Sequence, residues 1–155
     1  MPVFTPPVGF HFLLRIEGLE PEFLGLPDIG FTEVSGISHQ ISTEEFKEGG
    51  ENRYAHRLPT AVTYGNLVCK RGMMIGSQAY KWWTTSIETF SFKPTNIILI
   101  LLNELHVPVM AWNFNQAYPV KWSVDGFNST QNGILIESME FTYQYYTTLD
   151  PTSIL

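Results

Sequence analysis

The sequence of 155 residues contains a single cysteine and no long uninterrupted apolar run. With only Cys69 present, an intramolecular disulfide is excluded, and the sequence fits a reducing compartment. The first residues lack the basic start and the apolar core of a signal peptide, and the longest apolar run, residues 97–102, is too short to span a bilayer. We therefore expect the protein to be made and folded in the cytoplasm.

Positive charge is also scarce. Nine Lys and Arg residues against fifteen Asp and Glu residues make the net charge -6. Such a balance leaves no basic stripe that could neutralise a phosphate backbone. Stable binding of nucleic acid or of a membrane by the isolated chain is therefore not expected.

The residue patterns of catalytic and metal sites are missing as well. The histidines lie far apart in the sequence, and none has a second ligand at metal-binding spacing: His11, His39, His56 and His106. Cys69 lies in a predicted strand, where a buried thiol is favoured over a nucleophile. Gly49-Gly50 is not followed by the Lys-Ser or Lys-Thr of a phosphate-binding loop. We expect no enzyme activity, no metal site and no cofactor, and a metal site built across the fold is the weaker alternative.

The residues that are present describe one ordered domain over residues 1–155, rich in β-structure. Apolar residues make up 44% of the chain and aromatic residues 14%, as in proteins with a packed core. Residues 1–8 contain three prolines and are expected to form an extended N-terminal arm. Alternation of apolar and polar residues, as in residues 9–17, recurs along the chain and predicts about seven short strands.

One segment has the period of a helix instead. Its apolar residues recur at spacings of three and four: Tyr80, Trp83, Ile87 and Phe90. Ser77 is suited to cap the first turn, so we predict a helix over about residues 77–89. The predicted fold is an antiparallel β-barrel or sandwich with this one flanking helix. Trp82 lies off the centre of the stripe, where packing at the edge of the core is favoured over contact with a partner.

Two predicted strands combine an apolar face with a face of small polar residues and isolated glutamates. On the earlier strand the polar residues are Ser38, Gln40, Ser42 and Glu44. On the last strand they are Ser138, Glu140, Thr142 and Gln144. Ordinary exposure to solvent explains such faces in a monomer, and a shared role in an assembly is the alternative.

Charged residues are concentrated between residues 44 and 57. The signs are mixed along this segment: Glu44, Glu45, Lys47, Glu48, Glu51, Arg53 and Arg57. Copies of the chain can therefore pair head to tail, and heterologous contacts of that kind produce rings or stacks. Exposed ion pairs contribute only about 0–1 kcal/mol each, so they would set register more than affinity. A solvated loop is the alternative on composition alone.

Six short motifs follow one another along most of the chain. They are FTEVSG at 31–36, EGGEN at 48–52, RLP at 57–59, YGNL at 64–67, KRG at 70–72, and Trp112 together with PVKW at 119–122. In order and spacing they resemble the tail-tube protein family of contractile phages and phage-like extracellular contractile injection systems. That family is structurally similar to the type VI secretion tube protein.

The resemblance implies a structural function. Family members form hexameric rings that stack into a hollow tube inside a contractile sheath, and cargo travels through the lumen. The implied partners are further copies of the chain, the sheath protein, the baseplate or spike hub, tube-terminating proteins and cargo. The implied location is a virion tail or a released or anchored injection system.

Applied to this sequence, the resemblance makes residues 47–62 a long loop that reaches adjacent subunits and the next ring. Its contact residues would be Lys47, Glu48, Gly49, Gly50, Glu51, Asn52, Arg53, Tyr54 and Arg57. Strands of neighbouring subunits would join into one inner barrel. The two polar faces, Ser38 to Glu44 and Ser138 to Gln144, are then the candidates for the lumen lining.

Two segments depart from the simplest family members. Residues 18–30 make a longer first loop, and residues 147–155 extend past the last predicted strand. Either departure would suit a tube-initiating ring at the baseplate, so both a shaft subunit and a baseplate adaptor remain open. A small β-barrel enzyme or ligand-binding module is the alternative from a different class, and it would need acidic or histidine side chains converging in a pocket.

Overall fold

The computed structural model describes residues 11–18, 30–72, 78–126, 130, 133 and 135–150. The predicted arm, most of the first loop, the helix cap at Ser77 and the last five residues lie outside the described residues. The described elements, in chain order, are β1 (His11–Ile16), β2 (Gly30–Phe31), β3 (Glu33–Ser35), β4 (His39–Phe46), β5 (His56–Tyr64), β6 (Leu67–Gly72), α1 (Gln78–Glu88), β7 (Thr95–Leu102), β8 (Pro108–Val124), β9 (Ile136–Thr142) and β10 (Tyr145–Leu149).

The sheet topology confirms the predicted fold class, a mainly β domain with one flanking helix. Eight strands form an antiparallel sheet in the order β2-β1-β7-β8-β9-β6-β3, with β10 paired to β8. The two ends of this order, β2 and β3, are separated in sequence only by Thr32. The segment 30–35 therefore pairs with β1 at one end and with β6 at the other. Because one segment joins both ends of the strand order, the sheet is barrel-like.

The strand β8 is 17 residues long and contains an irregularity at Gln116. Gln116 has a positive φ of 53°, and its backbone N–H donates to the side chain of Asn96 on β7 (3.2 Å) instead of to a strand backbone. Before this point β8 pairs with β7 and β10. After it, β8 pairs with β9, apart from one last pair with β7 between Ala117 and Thr95. The irregularity thus bends the strand without ending it.

The C-terminal extension predicted at 147–155 is wrong for its first residues. Thr147 and Thr148 belong to β10 and pair with Asn113 and Trp112 of β8. Threonine favours extended backbone, and β8 offers a free edge beyond the end of β9. The sheet therefore continues past the strand that the alternation predicted as the last.

The apolar faces of the strands form the core. Its fully or almost fully buried members include Leu14, Leu67, Cys69, Leu99, Phe114, Met139 and Phe141. The predicted burial of Cys69 is confirmed, and burial raises the pKa of its thiol to about 12. The thiol is therefore protonated at neutral pH.

The first half of the predicted helical stripe packs on the body, because Tyr80 and Trp83 contact Trp122 of β8 (ring centres 5.2 and 6.3 Å apart).

The helix also buries residues that lie outside the predicted stripe. Trp82 stacks on Phe141 with ring centres 6.1 Å apart, and Ser86, one turn later, is buried. The Ser86 hydroxyl donates to the carbonyl of Trp82 (2.8 Å), which satisfies this polar group inside the protein. Ile87 and Phe90 are 46% and 84% exposed, so the expectation that they continue the buried stripe is wrong. No helix among the described residues is long and apolar enough to cross a membrane.

An ion pair lies inside the core between β6 and β9. Arg71 and Glu137 are directly opposite each other in the register, and both are at most 2% exposed. The Arg71 Nε donates to Glu137, and the indole N–H of Trp122 donates to the second carboxylate oxygen (3.3 Å). The guanidinium also lies 5.1 Å from the ring centre of Phe31. Because each charge has several partners, the pair is tolerated in the interior.

Candidate assembly surface on the β4–β5 hairpin

The charged segment forms the end of a protruding β-hairpin. β4 and β5 make a two-stranded sheet of their own, in which His39 pairs with Tyr64 and Phe46 pairs with His56. The predicted loop at 47–62 is therefore too long, because β5 begins at His56 and only residues 47–55 connect the strands. A register shift beyond Ser42 bends the hairpin part-way along its length.

Both faces of this hairpin are exposed in the subunit. Every residue of β4 is exposed, as is every residue of β5 except its two ends. Large apolar side chains are nevertheless about half exposed there: Ile41 (55%), Phe46 (53%), Leu58 (50%) and Val62 (50%). Ile41 and Val62 lie directly opposite each other. A two-stranded hairpin is marginally stable alone, and exposed apolar patches mark interaction surfaces.

The charges at the end of the hairpin pair with one another within the subunit. Glu51 accepts hydrogen bonds from the Nε and Nη2 of Arg53 (2.9 and 3.0 Å) and from its backbone N–H (3.1 Å). These bonds lower the pKa of Glu51 and raise that of Arg53. Glu45 lies 4.0 Å from Arg57 across the strands. Head-to-tail pairing of copies would therefore exchange existing partners for new ones.

Gly50 occupies the tip of the hairpin with a φ of 92°. This left-handed conformation suits glycine, and the space around the missing Cβ is open. The Glu51 N–H donates to the carbonyl of Glu48 (3.3 Å) and closes the turn. The backbone path at the tip therefore depends on Gly50, whereas Gly49 has an ordinary φ.

The second polar face lies on β9, as the alternation predicts. Ser138, Glu140 and Thr142 are partly exposed, and the residues between them are buried. Gln144 follows the end of β9, and its N–H donates to Asn115 of β8 (3.0 Å), so it does not continue the strand.

Two lysines that the alternation did not single out flank this face. Lys70 is opposite Ser138 on β6, and Lys121 is opposite Glu140 on β8. A shallow cavity of about 190 Å³ opens between these strands and is lined by Val68, Lys70, Lys121, Ser123, Ser138 and Glu140. The lysines are missed because their position beside β9 depends on strand order, which alternation within one strand does not report.

Glu140 connects the second polar face to the base of the hairpin. Its carboxylate accepts a hydrogen bond from the side-chain amide of Asn66 (2.8 Å), which follows the last residue of β5 by two positions. Ser38, at the start of the other hairpin strand, accepts a backbone hydrogen bond from Gly65 (3.2 Å). Gln40, Ser42 and Glu44 continue outward along β4. The structure thus places the two predicted sets next to each other at the base of the hairpin.

The histidines take part in ring contacts. His11 stacks with His106 (5.1 Å between centres), His56 contacts Tyr54, and His39 contacts Tyr64 and Tyr146. Within the described parts of the chain, no group of three or more His, Cys, Asp or Glu side chains is placed to hold a metal ion.

Comparison with known proteins agrees with this architecture. The family model described as T4-like virus tail tube protein gp19 matches residues 8–147. The chain belongs to this tail-tube family. The resemblance inferred from the sequence motifs is thereby confirmed. The comparison with curated protein sequences found no match.

Solved structures extend the comparison. A chain of the anti-feeding prophage baseplate, 6-fold symmetrised, has a TM-score of 0.78 and 30% identity over 94% of this chain and 96% of that chain. A chain of the sheath-tube complex of the PVC extracellular contractile injection system has a TM-score of 0.76 and 21% identity, covering 95% of this chain and 93% of that chain. Hcp1 from Flavobacterium johnsoniae has a TM-score of 0.54 and 15% identity, covering 90% of this chain and 94% of that chain. The last two share the fold.

Proposed function

We propose that this tail-tube protein is the repeated subunit of the inner tube of a contractile injection system or phage tail. Six copies form a ring, rings stack into a hollow tube, and cargo passes through the lumen. The observation that carries this proposal is the β4–β5 hairpin, which protrudes from the body and exposes large apolar side chains on both faces. The role of the protein in this proposal is structural, without catalysis.

A second copy of the chain is the occupant that best suits the hairpin. Among the described strands, β4 and β5 pair only with each other, so their outer edges keep free N–H and C=O groups. A ring removes such edges by pairing them with strands of the neighbouring subunit. The same contact buries the half-exposed apolar side chains, each contributing roughly 1 kcal/mol if half of a large side chain leaves water.

The two polar faces, on β4 and β9, line the lumen in this proposal. Their charges come in opposite signs on adjacent strands, since Lys70 lies 3.6 Å from Glu33 and Lys121 is opposite Glu140. A hydrated surface with balanced charge lets cargo slide instead of holding it. The outer partners are the sheath protein, the baseplate or spike hub and the tube-terminating proteins.

One observation favours a second candidate, a tube-initiating ring at the baseplate. The baseplate chain of the anti-feeding prophage is 30% identical to this protein, whereas the PVC sheath-tube chain is 21% identical. A tube-initiating ring has the same fold and forms one ring on which the shaft subunits then stack. Elongation therefore distinguishes the two roles.

Electron microscopy of the purified protein, combined with its mass in solution, tests both candidates. Hexameric rings that stack into open tubes as concentration rises support the shaft role. Single rings that do not elongate support the baseplate role. A monomer at every concentration overturns the proposal.

Two variants test whether the end of the hairpin connects the rings. Gly50→Pro is incompatible with the φ of 92°, because proline restricts φ to about -65°. Arg57→Glu places like charges opposite Glu45. We expect both variants to fold but not to stack, with Gly49→Ala and the exposed helix variant Lys81→Glu as matched controls that stack normally. Normal stacking of both hairpin variants would show that the rings meet elsewhere.

A further inference from the structure

The β3–β6 and β4–β5 pairs are two parts of one long hairpin. The pairing between the two strands is interrupted at residues 36–38 and 65–67. Ser35 pairs with Val68 on one side of this interruption, and His39 pairs with Tyr64 on the other. Three residues separate the paired positions on each strand, so the register is the same on both sides. The interruption therefore separates the two parts without letting one strand slip past the other.

Two glycines make the interruption possible. Gly36 has a φ of 85°, and a Cβ at this position would lie 1.9 Å from the carbonyl oxygen of Asn66. A Cβ on Gly65 would lie 2.5 Å from the Oγ of Ser38. A side chain on Gly36 would collide with backbone atoms, so the two backbones approach there at a distance that only glycine allows. A side chain on Gly65 would displace the Ser38 hydroxyl and would lie tightly against the Gly36 carbonyl oxygen, at 3.2 Å. These glycines are also the last residue of the FTEVSG motif and the second of the YGNL motif.

Aromatic side chains hold the first residue pair of the β4–β5 hairpin, His39 and Tyr64, against the body. The His39 Nδ1 lies 2.7 Å from the hydroxyl of Tyr146 on β10. The Tyr64 ring lies 5.5 Å from that of Tyr146 and 5.9 Å from that of Tyr143. Tyr143 in turn packs on the buried Phe114 of β8 (4.8 Å). The hairpin is thus connected to the core through a continuous set of ring contacts.

We infer that this set, which we call the joint (Gly36, His39, Tyr64, Gly65, Tyr143 and Tyr146), fixes the angle of the hairpin and thereby determines whether copies of the chain can assemble. The inference rests on the proposed role of the hairpin as the contact between subunits. Tyr146 and His39 are positioning residues in this view, since their contact holds the hairpin to the body of its own subunit.

The length of the hairpin explains why its angle matters. A strand of eight residues extends about 27 Å at about 3.4 Å per residue. A rotation of 10° at the base would therefore move the tip by about 5 Å. Contacts lose a quarter to a half of their dispersion energy over a gap of about 0.5–1 Å. The joint must therefore hold the hairpin within a few degrees for the tip to meet its partner.

Tyr146→Phe and His39→Phe test the joint, because each removes the hydrogen bond and keeps a ring. Tyr145→Phe is the matched control, since Tyr145 directly precedes Tyr146 on β10 and is 45% exposed. In unassembled subunits, we expect amide hydrogen exchange in β4 and β5 to be about fivefold faster in both variants, as for the loss of one hydrogen bond. Exchange in β7 should not change, and the double variant should match the single ones.

The same variants are then compared for assembly. A raised threshold concentration for ring formation in Tyr146→Phe and His39→Phe, but not in Tyr145→Phe, supports the inference. Unchanged hairpin exchange, or faster exchange with normal assembly, overturns it. If the wild-type protein does not assemble, the proposed function fails, whereas the exchange measurement still decides whether the joint holds the hairpin.

Discussion

Replacing Ile41 and Val62 with serine removes an apolar pair from the middle of the hairpin. The two side chains are 55% and 50% exposed in the subunit and lie directly opposite each other. Because neither belongs to the buried core, the body should fold normally without them. If a neighbouring subunit covers this pair, the double variant should assemble poorly.

The size of the effect follows from the exposed fractions. Burying a whole Val or Ile side chain contributes roughly 1.5–3 kcal/mol, and about half of each remains exposed for a partner to cover. The pair therefore contributes roughly 2 kcal/mol to each contact. Since 1.4 kcal/mol corresponds to a factor of ten, each contact should weaken by about thirtyfold. A ring of six contains six such contacts, so the threshold for assembly should rise steeply.

Sedimentation velocity over a range of concentrations measures that threshold, and electron microscopy identifies the assembled species. Val107→Ser is the matched control, because Val107 is also 50% exposed but lies in the turn before β8. We expect the control to assemble like the wild type. Equal thresholds for the double variant and the wild type would refute the reasoning, as would an equal loss in the control.

The remaining predictions concern the core and the lumen. Glu137→Ala leaves the buried Arg71 without its carboxylate and should lower the free energy of unfolding by about 3–5 kcal/mol in urea titrations; a loss below 1 kcal/mol would contradict the stabilising role of the pair. Burial raises the pKa of Cys69 from 9.0 to about 12, so the thiol of the unfolded chain ionises first, and stability should fall between pH 9 and 12 but not below pH 9; a Cys69→Ala variant that keeps the same decline would assign it to another group. In assembled tubes, Ser42→Cys and Thr142→Cys should react slowly with bulky maleimides and rapidly with small ones, and fast reaction with bulky reagents would place these residues outside the lumen.

Local patterns predicted most of the strands and the buried side of each. The alternation around Cys69 and Met139 reports which residues avoid water, and this does not depend on strand order. Helical spacing predicts the helix and the contacts of Tyr80 and Trp83, but not those of Trp82 and Ser86. These two residues face the sheet through contacts that the spacing alone does not specify. Arg71 and Glu137 are distant in the sequence, so nothing local indicated that their charges are buried together.

The hairpin likewise has features that the sequence predicts and features that only the tertiary structure shows. Motif order was sufficient to identify the tail-tube family, and the mixed charge near Gly50 predicts an interaction segment there. By itself, the sequence thus determined the fold class and the family, since the first follows from local alternation and the second from the order of short motifs along the chain. Only the tertiary structure decided that His56–Tyr64 pairs with β4, that Gly36 and Gly65 cross closely, and that His39 reaches Tyr146. Those contacts join residues far apart in the chain, and they exist only after the sheet has brought its strands into register.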